Sequence, residues 1–265
     1  MNSKLIRTAI AAGAVFALPL SVHAADLRAP SYKAPAYVEP PSASWSGFYG
    51  GLNGGYAFGT GSDVSLASTS AGFDPAFQAG AVPSSVSLKP NGFMAGGQIG
   101  YNYQFWTSWL LGVEADVQYS SIKKNSAVDI SGVPAFDPST TTVEHKMDWF
   151  GTARLRAGYI PWEPLLIYVT GGLAVGHVED TADIAFPAIP QDYAGSASKV
   201  KFGWTAGAGI EWAFLANWTA KVEYLYYNLG DNTVDIGTVT GPLATASATF
   251  PAKGSIGRIG VNYRF

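Results

Sequence analysis

The stretch Gly257–Phe265, "GRIGVNYRF", ends the 265-residue sequence and carries the pattern on which the fold reading turns. Ile259, Val261, Tyr263 and Phe265 fall on one face of an extended chain, and Arg258, Gly260, Asn262 and Arg264 on the other. Strict alternation of this kind is a strand signal, because successive side chains leave a strand on opposite faces. Two arginines opposite four bulky apolar groups, with phenylalanine as the last residue, ask for an apolar solvent on one side. The same alternation recurs upstream.

Eight period-two segments emerge, at 46–58, 91–105, 109–122, 146–160, 165–178, 199–214, 218–229 and 254–265. Segments two and three are joined by "WTS", four and five by "PWEP", and six and seven by "LAN". The other intervals, 60–90, 123–145, 179–198 and 230–253, are long and rich in Ser, Thr, Ala, Gly, Pro and Asp. Short turns at one end and long loops at the other mark an outer-membrane barrel, and an even strand count returns both termini to the short-turn side.

Composition agrees. Charged residues make up 13% and hydrophobic residues 48% of the chain, yet past the N-terminus no run of about 20 apolar residues could form a spanning helix. With no Cys there is no disulfide framework and no thiolate metal site. Lys4 and Arg7, the apolar run Thr8–Leu20 and the small residues of Val22-His23-Ala24 read as a secretory signal, residues 1–24, cut between Ala24 and Ala25. Its removal leaves 14 bases against 19 acids, a balance that disfavours nucleic-acid binding. Residues 25–44, with Pro30, Pro35, Pro40 and Pro41, read as an extended periplasmic linker, and residues 45–265 as the barrel.

Sidedness supports that architecture. The third segment sets Leu111, Val113, Ala115, Val117 and Tyr119 against Glu114, Asp116 and Gln118. The fourth sets Trp149, Ala153, Leu155 and Tyr159 against Asp148, Arg154 and Arg156. In lipid the apolar face must be the outer one, so the charges turn into the lumen. Glu114, Asp116, Arg154, Arg156, Glu211, Lys221, Glu223 and Arg258 are thus expected inside, at mid-height. An eight-stranded interior is just wide enough for side chains to fill, so opposite charges on neighbouring strands should pair. The expected pairs are Glu114 or Asp116 with Arg154 or Arg156, and Glu223 with Lys221 or Arg258. Phe105, Trp106, Trp109, Trp162, Phe214, Trp218, Tyr263 and Phe265 cluster at the short-turn end as an aromatic girdle.

On these residues the chain resembles a known family. "WSGFYGGLNGGYAFG", "GTARLRAGY", "LLIYVTGGLAVGHV" and the terminal "GRIGVNYRF" are similar to the RopB-like surface antigens, small alphaproteobacterial outer-membrane barrels. The resemblance implies an all-β, eight-stranded antiparallel barrel of the OmpA-like kind. It also implies insertion by the barrel-assembly machinery, which reads a terminal aromatic, through the strand carrying Ile259, Val261, Tyr263 and Phe265. The family supplies no catalytic residues to carry over.

His145 and His177 stand near the outer ends of adjacent strands, with Glu144, Glu179 and Asp180 beside them in sequence. A metal or haem site, or a His–acid dyad, could be built from such residues, but by parity both histidines should point outward as a solvated rim. "GGLNGG", "AGGQIG" and "TAGAGI" lack the following helix that a phosphate loop requires. The expectation is a non-enzymatic structural barrel without cofactor, in contact with outer-membrane lipid and lipopolysaccharide, meeting host or environment through its four loops. A narrow porin or gated small channel is the alternative, and a rim ligand site or an enzymatic barrel the third reading.

Overall fold

The computed structural model describes residues 44–59, 62–187, 191–238 and 241–265; the expected signal peptide, its cleavage site and all but the last residue of the linker lie outside them. Ten strands form one antiparallel sheet: β1 Gly47–Gly59, β2 Ser62–Ser68, β3 Ser85–Leu88, β4 Asn91–Phe105, β5 Trp109–Ile130, β6 Ser139–Trp162, β7 Leu165–Phe186, β8 Gln191–Ala213, β9 Trp218–Thr238 and β10 Gly241–Arg264. The ring β1-β4-β5-β6-β7-β8-β9-β10 closes through β1 against β10, making an eight-stranded barrel. That closure runs from Tyr49↔Arg264 to Gly59↔Gly254. Closure leaves no strand edge facing lipid, where unsatisfied backbone groups cost several kcal/mol each.

The lipid-facing belt can be read on β5. From Trp109 to Tyr119, eleven residues, the outward side chains Trp109, Leu111, Val113, Val117 and Tyr119 are all exposed. A tilted strand needs about 9–11 residues to cross the hydrocarbon core. The strand nevertheless continues to Ile130, so half of its length stands beyond the membrane. Strands β6, β7 and β8 are likewise 24, 22 and 23 residues long.

Most of the intervals expected as loops at 123–145, 179–198 and 230–253 are therefore continuing barrel wall. The physical reason is an exchange of faces at the membrane boundary. Above it, β7 turns Val178, Ala182, Ile184 and Phe186 inward, and Glu179, Thr181 and Asp183 outward toward water. The apolar periodicity continues on the opposite face, so a strand defined by an apolar outer face ends there.

Bulges assist the exchange. On β6 one extra residue, Asp148, sits between the pairs Met147↔Val178 and Trp149↔His177. Inward positions are odd-numbered from Ser139 to Met147 and even-numbered from Phe150 to Ile160. On β9 the equivalent irregularity contains Gly230, whose φ of +78° suits glycine.

Residues 62–90 of the first interval fold onto the outer end. β1 stops at Gly59, and above it β2 takes over the edge of β10, pairing Ser65–Ser68 with Ala246–Thr249. β2 pairs with β3, which packs beside β5. The short helix α1, Asp74–Gln78, and the residues around it cover the mouth. Phe73 packs edge-on against Tyr193 at 4.8 Å, and Ser139 donates a hydrogen bond to the Ala81 carbonyl at 2.6 Å. Val64, Leu66, Val86, Val143, Ile184 and Phe250 complete an apolar cluster beneath this cap.

At the inner end the terminal residues lie as the alternation requires. Phe265 is 81% exposed on the outer wall, packed against Tyr263, which packs in turn against Trp218. Arg264 turns inward, donating to the carbonyls of Ser44 and Ala216 and lying over the buried Trp45 ring at 5.0 Å. Deleting Tyr263–Phe265 removes the pairs that seal β10 to β1 at this end. The truncated chain is expected to lose heat-modifiable migration on gels and accumulate as aggregate; normal folded migration would contradict the closing role of this segment.

Candidate functional site: the filled lumen and the outer rim

The eight charged residues expected in the lumen are all buried there. Glu114 lies at their centre. It accepts hydrogen bonds from Arg154 and from Lys221, the latter at 2.9 Å, and stands 3.5 Å from both Arg156 and Arg258. Arg154 also reaches Asp116 at 2.9 Å and Glu223 at 3.0 Å. Arg156 pairs with Glu211 at 2.6 Å, and Arg258 with Glu223 at 2.5 Å and Asp116 at 3.2 Å. Four acids thus meet four bases.

The expected pairs form, Arg154 with Glu114 and Asp116 and Arg258 with Glu223, and Lys221 in addition reaches across the lumen to Glu114. Long basic side chains span a narrow interior, so partners come from opposite walls as well as from adjacent strands. Tyrosines complete the shell. Tyr49 donates to Glu114 at 2.7 Å, Tyr168 donates to Glu223 at 3.0 Å, and the Arg156 guanidinium stacks 3.9 Å over the Tyr168 ring. Gly100 and Gly209 stand where a Cβ would strike the Tyr49 and Tyr168 rings, which makes room for both phenols.

Apolar layers bracket this network. Toward the inner end Trp45, Leu110, Ile160, Leu166 and Ala213 fill the lumen. Toward the outer end Met94, Ile122, Met147, Phe150, Leu225 and Tyr227 do the same. The larger concavities lie on the outer wall; one of about 560 Å³ is lined by Phe48, Ile99, Tyr101, Val113, Leu155 and Leu173, side chains that face lipid.

The histidines divide. His177 points outward as expected, but His145 does not. The bulge at Asp148 reverses the phase of β6, so His145 turns into the barrel and is 3% exposed. Its Nδ1 lies 2.6 Å from Asp180 Oδ1, while Asn232 donates to the other oxygen of Asp180 at 2.7 Å. The two histidines therefore lie on opposite faces of the wall and cannot share a metal or haem. Among the described residues no group of three or more His, Asp or Glu side chains is placed to hold a metal ion.

The same bulge moves Asp148, expected in the lumen, to the exterior. There Lys146 bridges Asp148 at 2.9 Å and Glu179 at 3.3 Å, and this ammonium holds the Asp148 carboxyl below the usual carboxylate range. His177 Nδ1 lies 3.2 Å from Asp148 Oδ2, and His177 Nε2 lies 3.0 Å from Ser198 Oγ. Sequence reasoning missed this row of three. Ser198 sits two residues short of the position facing His177, a diagonal neighbour that appears once β7 and β8 are known to remain paired beyond the membrane.

With lumen, wall and girdle in place, the chain matches known proteins along its length. A family model described as outer membrane protein beta-barrel domain matches residues 11–265. The chain belongs to this family. It is an outer-membrane protein. It is similar to the 31 kDa outer-membrane immunogenic protein of Brucella melitensis, 36% identical over 246 residues, covering 92% of this chain and 94% of that one. It is also similar to the 22 kDa outer membrane protein of Rhizobium leguminosarum, 34% identical over 206 residues, covering 75% of this chain and 72% of that one. Among solved structures, OprG of Pseudomonas aeruginosa matches over 83% of this chain and 96% of that one, with 14% identity and a TM-score of 0.42. The alphaproteobacterial relatives agree with the resemblance read from the strand motifs.

Removing a partner from the ionic layer leaves uncompensated buried charge, at a typical cost of about 3–5 kcal/mol. Glu114→Ala, which strands Lys221 and parts of three guanidinium contacts, is expected to lower the unfolding free energy by about that much in urea titrations of the refolded barrel. Lys123→Ala, removing an exposed pair with Glu144, should change it by no more than about 1 kcal/mol. Equal, small effects of both substitutions would contradict the account.

Proposed function

We propose that this protein is a closed structural barrel, contributing to envelope integrity and carrying a folded outer cap for contact with host or environment. The observation that carries this reading is the layered filling of the lumen. An apolar layer at Trp45, the ionic layer around Glu114, an apolar layer at Phe150 and the capped cluster at Phe73 follow one another from end to end. An ion crossing such a stack would meet dry apolar layers on both sides of a charge-balanced one.

The extended wall supports the second half of the proposal. About half of β5 to β8 stands in water outside the membrane, with Thr142, Glu144, Glu179 and Thr181 among its outward side chains. Its Brucella relative is named an outer-membrane immunogenic protein, which accords with display at the cell surface. The girdle at Trp109, Trp162, Trp218 and Phe265 is the face offered to lipid headgroups, and the last strand the segment offered to the assembly machinery. Lipopolysaccharide is the proposed neighbour of the wall where the lipid-facing belt ends, at Tyr119 and Phe202.

Purified, folded protein in a planar bilayer is expected to give no steady conductance above baseline. A large, stable, weakly selective conductance would overturn the closed-barrel reading in favour of a porin. Rare small openings whose frequency changes in Glu223→Ala would replace the static plug with a gated path.

A further inference from the structure

The row Ser198–His177–Asp148 lies outside the lumen network, and its geometry is that of a nucleophile, a base and an orienting acid. Ser198 Oγ stands 3.0 Å from His177 Nε2, and His177 Nδ1 stands 3.2 Å from Asp148 Oδ2. With Nδ1–H donated to the carboxylate, Nε2 is left as the acceptor for the serine proton. The members come from three adjacent strands, β8, β7 and β6, and Asp148 reaches the row because the bulge turns it outward.

Position supplies the substrate class. On the outward face of β8, Val200, Phe202 and Trp204 follow Ser198 down into the lipid belt, and Phe202 is 77% exposed. On β7, Leu173 lies below His177 in the same way. Alternate residues of a strand stand about 7 Å apart, so an acyl chain lying along Phe202 and Val200 brings a carbonyl group to Ser198. The row thus sits where lipid ends and water begins.

The neighbouring seam is irregular at this point. Pairing between β8 and β9 is interrupted from Ala194↔Gly237 to Trp204↔Asn228, and Lys201 Nζ spans the interval to the Asp231 carbonyl at 2.7 Å. The regular register between β8 and β9 is thus broken beside Ser198.

We propose that Ser198, His177 and Asp148 form a hydrolytic site for an acyl ester of the outer leaflet. Ser198 Oγ bonds to the acyl carbon as its proton passes to His177 Nε2. The tetrahedral species expels the alcohol, which takes that proton. Water then attacks the acyl-serine, giving a proton to Nε2; collapse frees the fatty acid and returns the proton to Ser198. Asp148 holds the imidazole in the required tautomer throughout.

The test uses full-length folded protein in vesicles, with a fluorophosphonate probe and mass-spectrometric detection of released fatty acid. Ester phospholipid vesicles and vesicles containing the bacterium's own lipid A are run as separate arms. Wild type should be labelled at Ser198 and release fatty acid from one arm or both, which also identifies the source of the ester. Ser198→Ala should abolish labelling, and His177→Gln should lower both readouts at least about 100-fold, with heat-modifiable migration unchanged in each. Asp148→Asn should reduce release while leaving Ser198 in place to be labelled more slowly. No probe on Ser198 of the folded wild type, labelling indifferent to His177→Gln, or labelling without release in either arm would overturn the proposal.

Discussion

A strand in lipid must turn its polar side chains inward, and the same strand in water is free to turn them out. This constraint organises the whole barrel. Within the belt, leaving Glu114 or Arg154 on the outer wall would cost kilocalories per group, so the charges gather in the lumen and must satisfy one another there. Beyond the belt the requirement lapses, and Val178, Ala182 and Ile184 take the interior while Glu179 and Thr181 meet solvent. One strand, β7, performs both arrangements without changing which residues face inward: only the chemistry carried by each face is exchanged.

The lumen is consequently layered. Its middle carries charge because the surrounding wall is lipid-facing, and its outer part is apolar because the wall there is wet. The His145–Asp180–Asn232 group marks the outer part as more than a hydrophobic filling, since a buried imidazole and carboxylate 2.6 Å apart fix how β6 and β7 sit against β9. Glycine serves the same economy of space. Gly100 and Gly209 omit a side chain so that Tyr49 and Tyr168 can lie across the barrel and hydrogen-bond to the central carboxylates.

Sequence legibility followed the membrane. The alternation of Leu111 to Tyr119, the three short turns and the sidedness of Ile259 to Phe265 sufficed for an eight-stranded barrel, because lipid imposes a strong periodic signal. All eight lumen charges were legible for the same reason. The outer half was not, since Ser- and Thr-rich strands with an apolar inner face resemble loops when the apolar face is assumed to be outside. The bulge at Asp148 left no mark in composition, and that one extra residue misplaced both His145 and Asp148. Likewise the row ending at Ser198 depends on cross-strand register outside the belt, which no local pattern specifies.

The exchange of faces along β7 is the claim on which the rest depends, and a chain without native cysteine allows it to be read directly. Single substitutions Leu173→Cys, Val178→Cys, Glu179→Cys, Thr181→Cys and Ala182→Cys would be probed on intact cells with a membrane-impermeant maleimide and with a bilayer-confined quencher. Positions 179 and 181 should react with the maleimide, 178 and 182 should react only after unfolding, and 173 should respond to the lipid quencher alone. Uniform maleimide reactivity from 178 to 182 would mean a flexible loop in place of a folded wall, and would contradict the account.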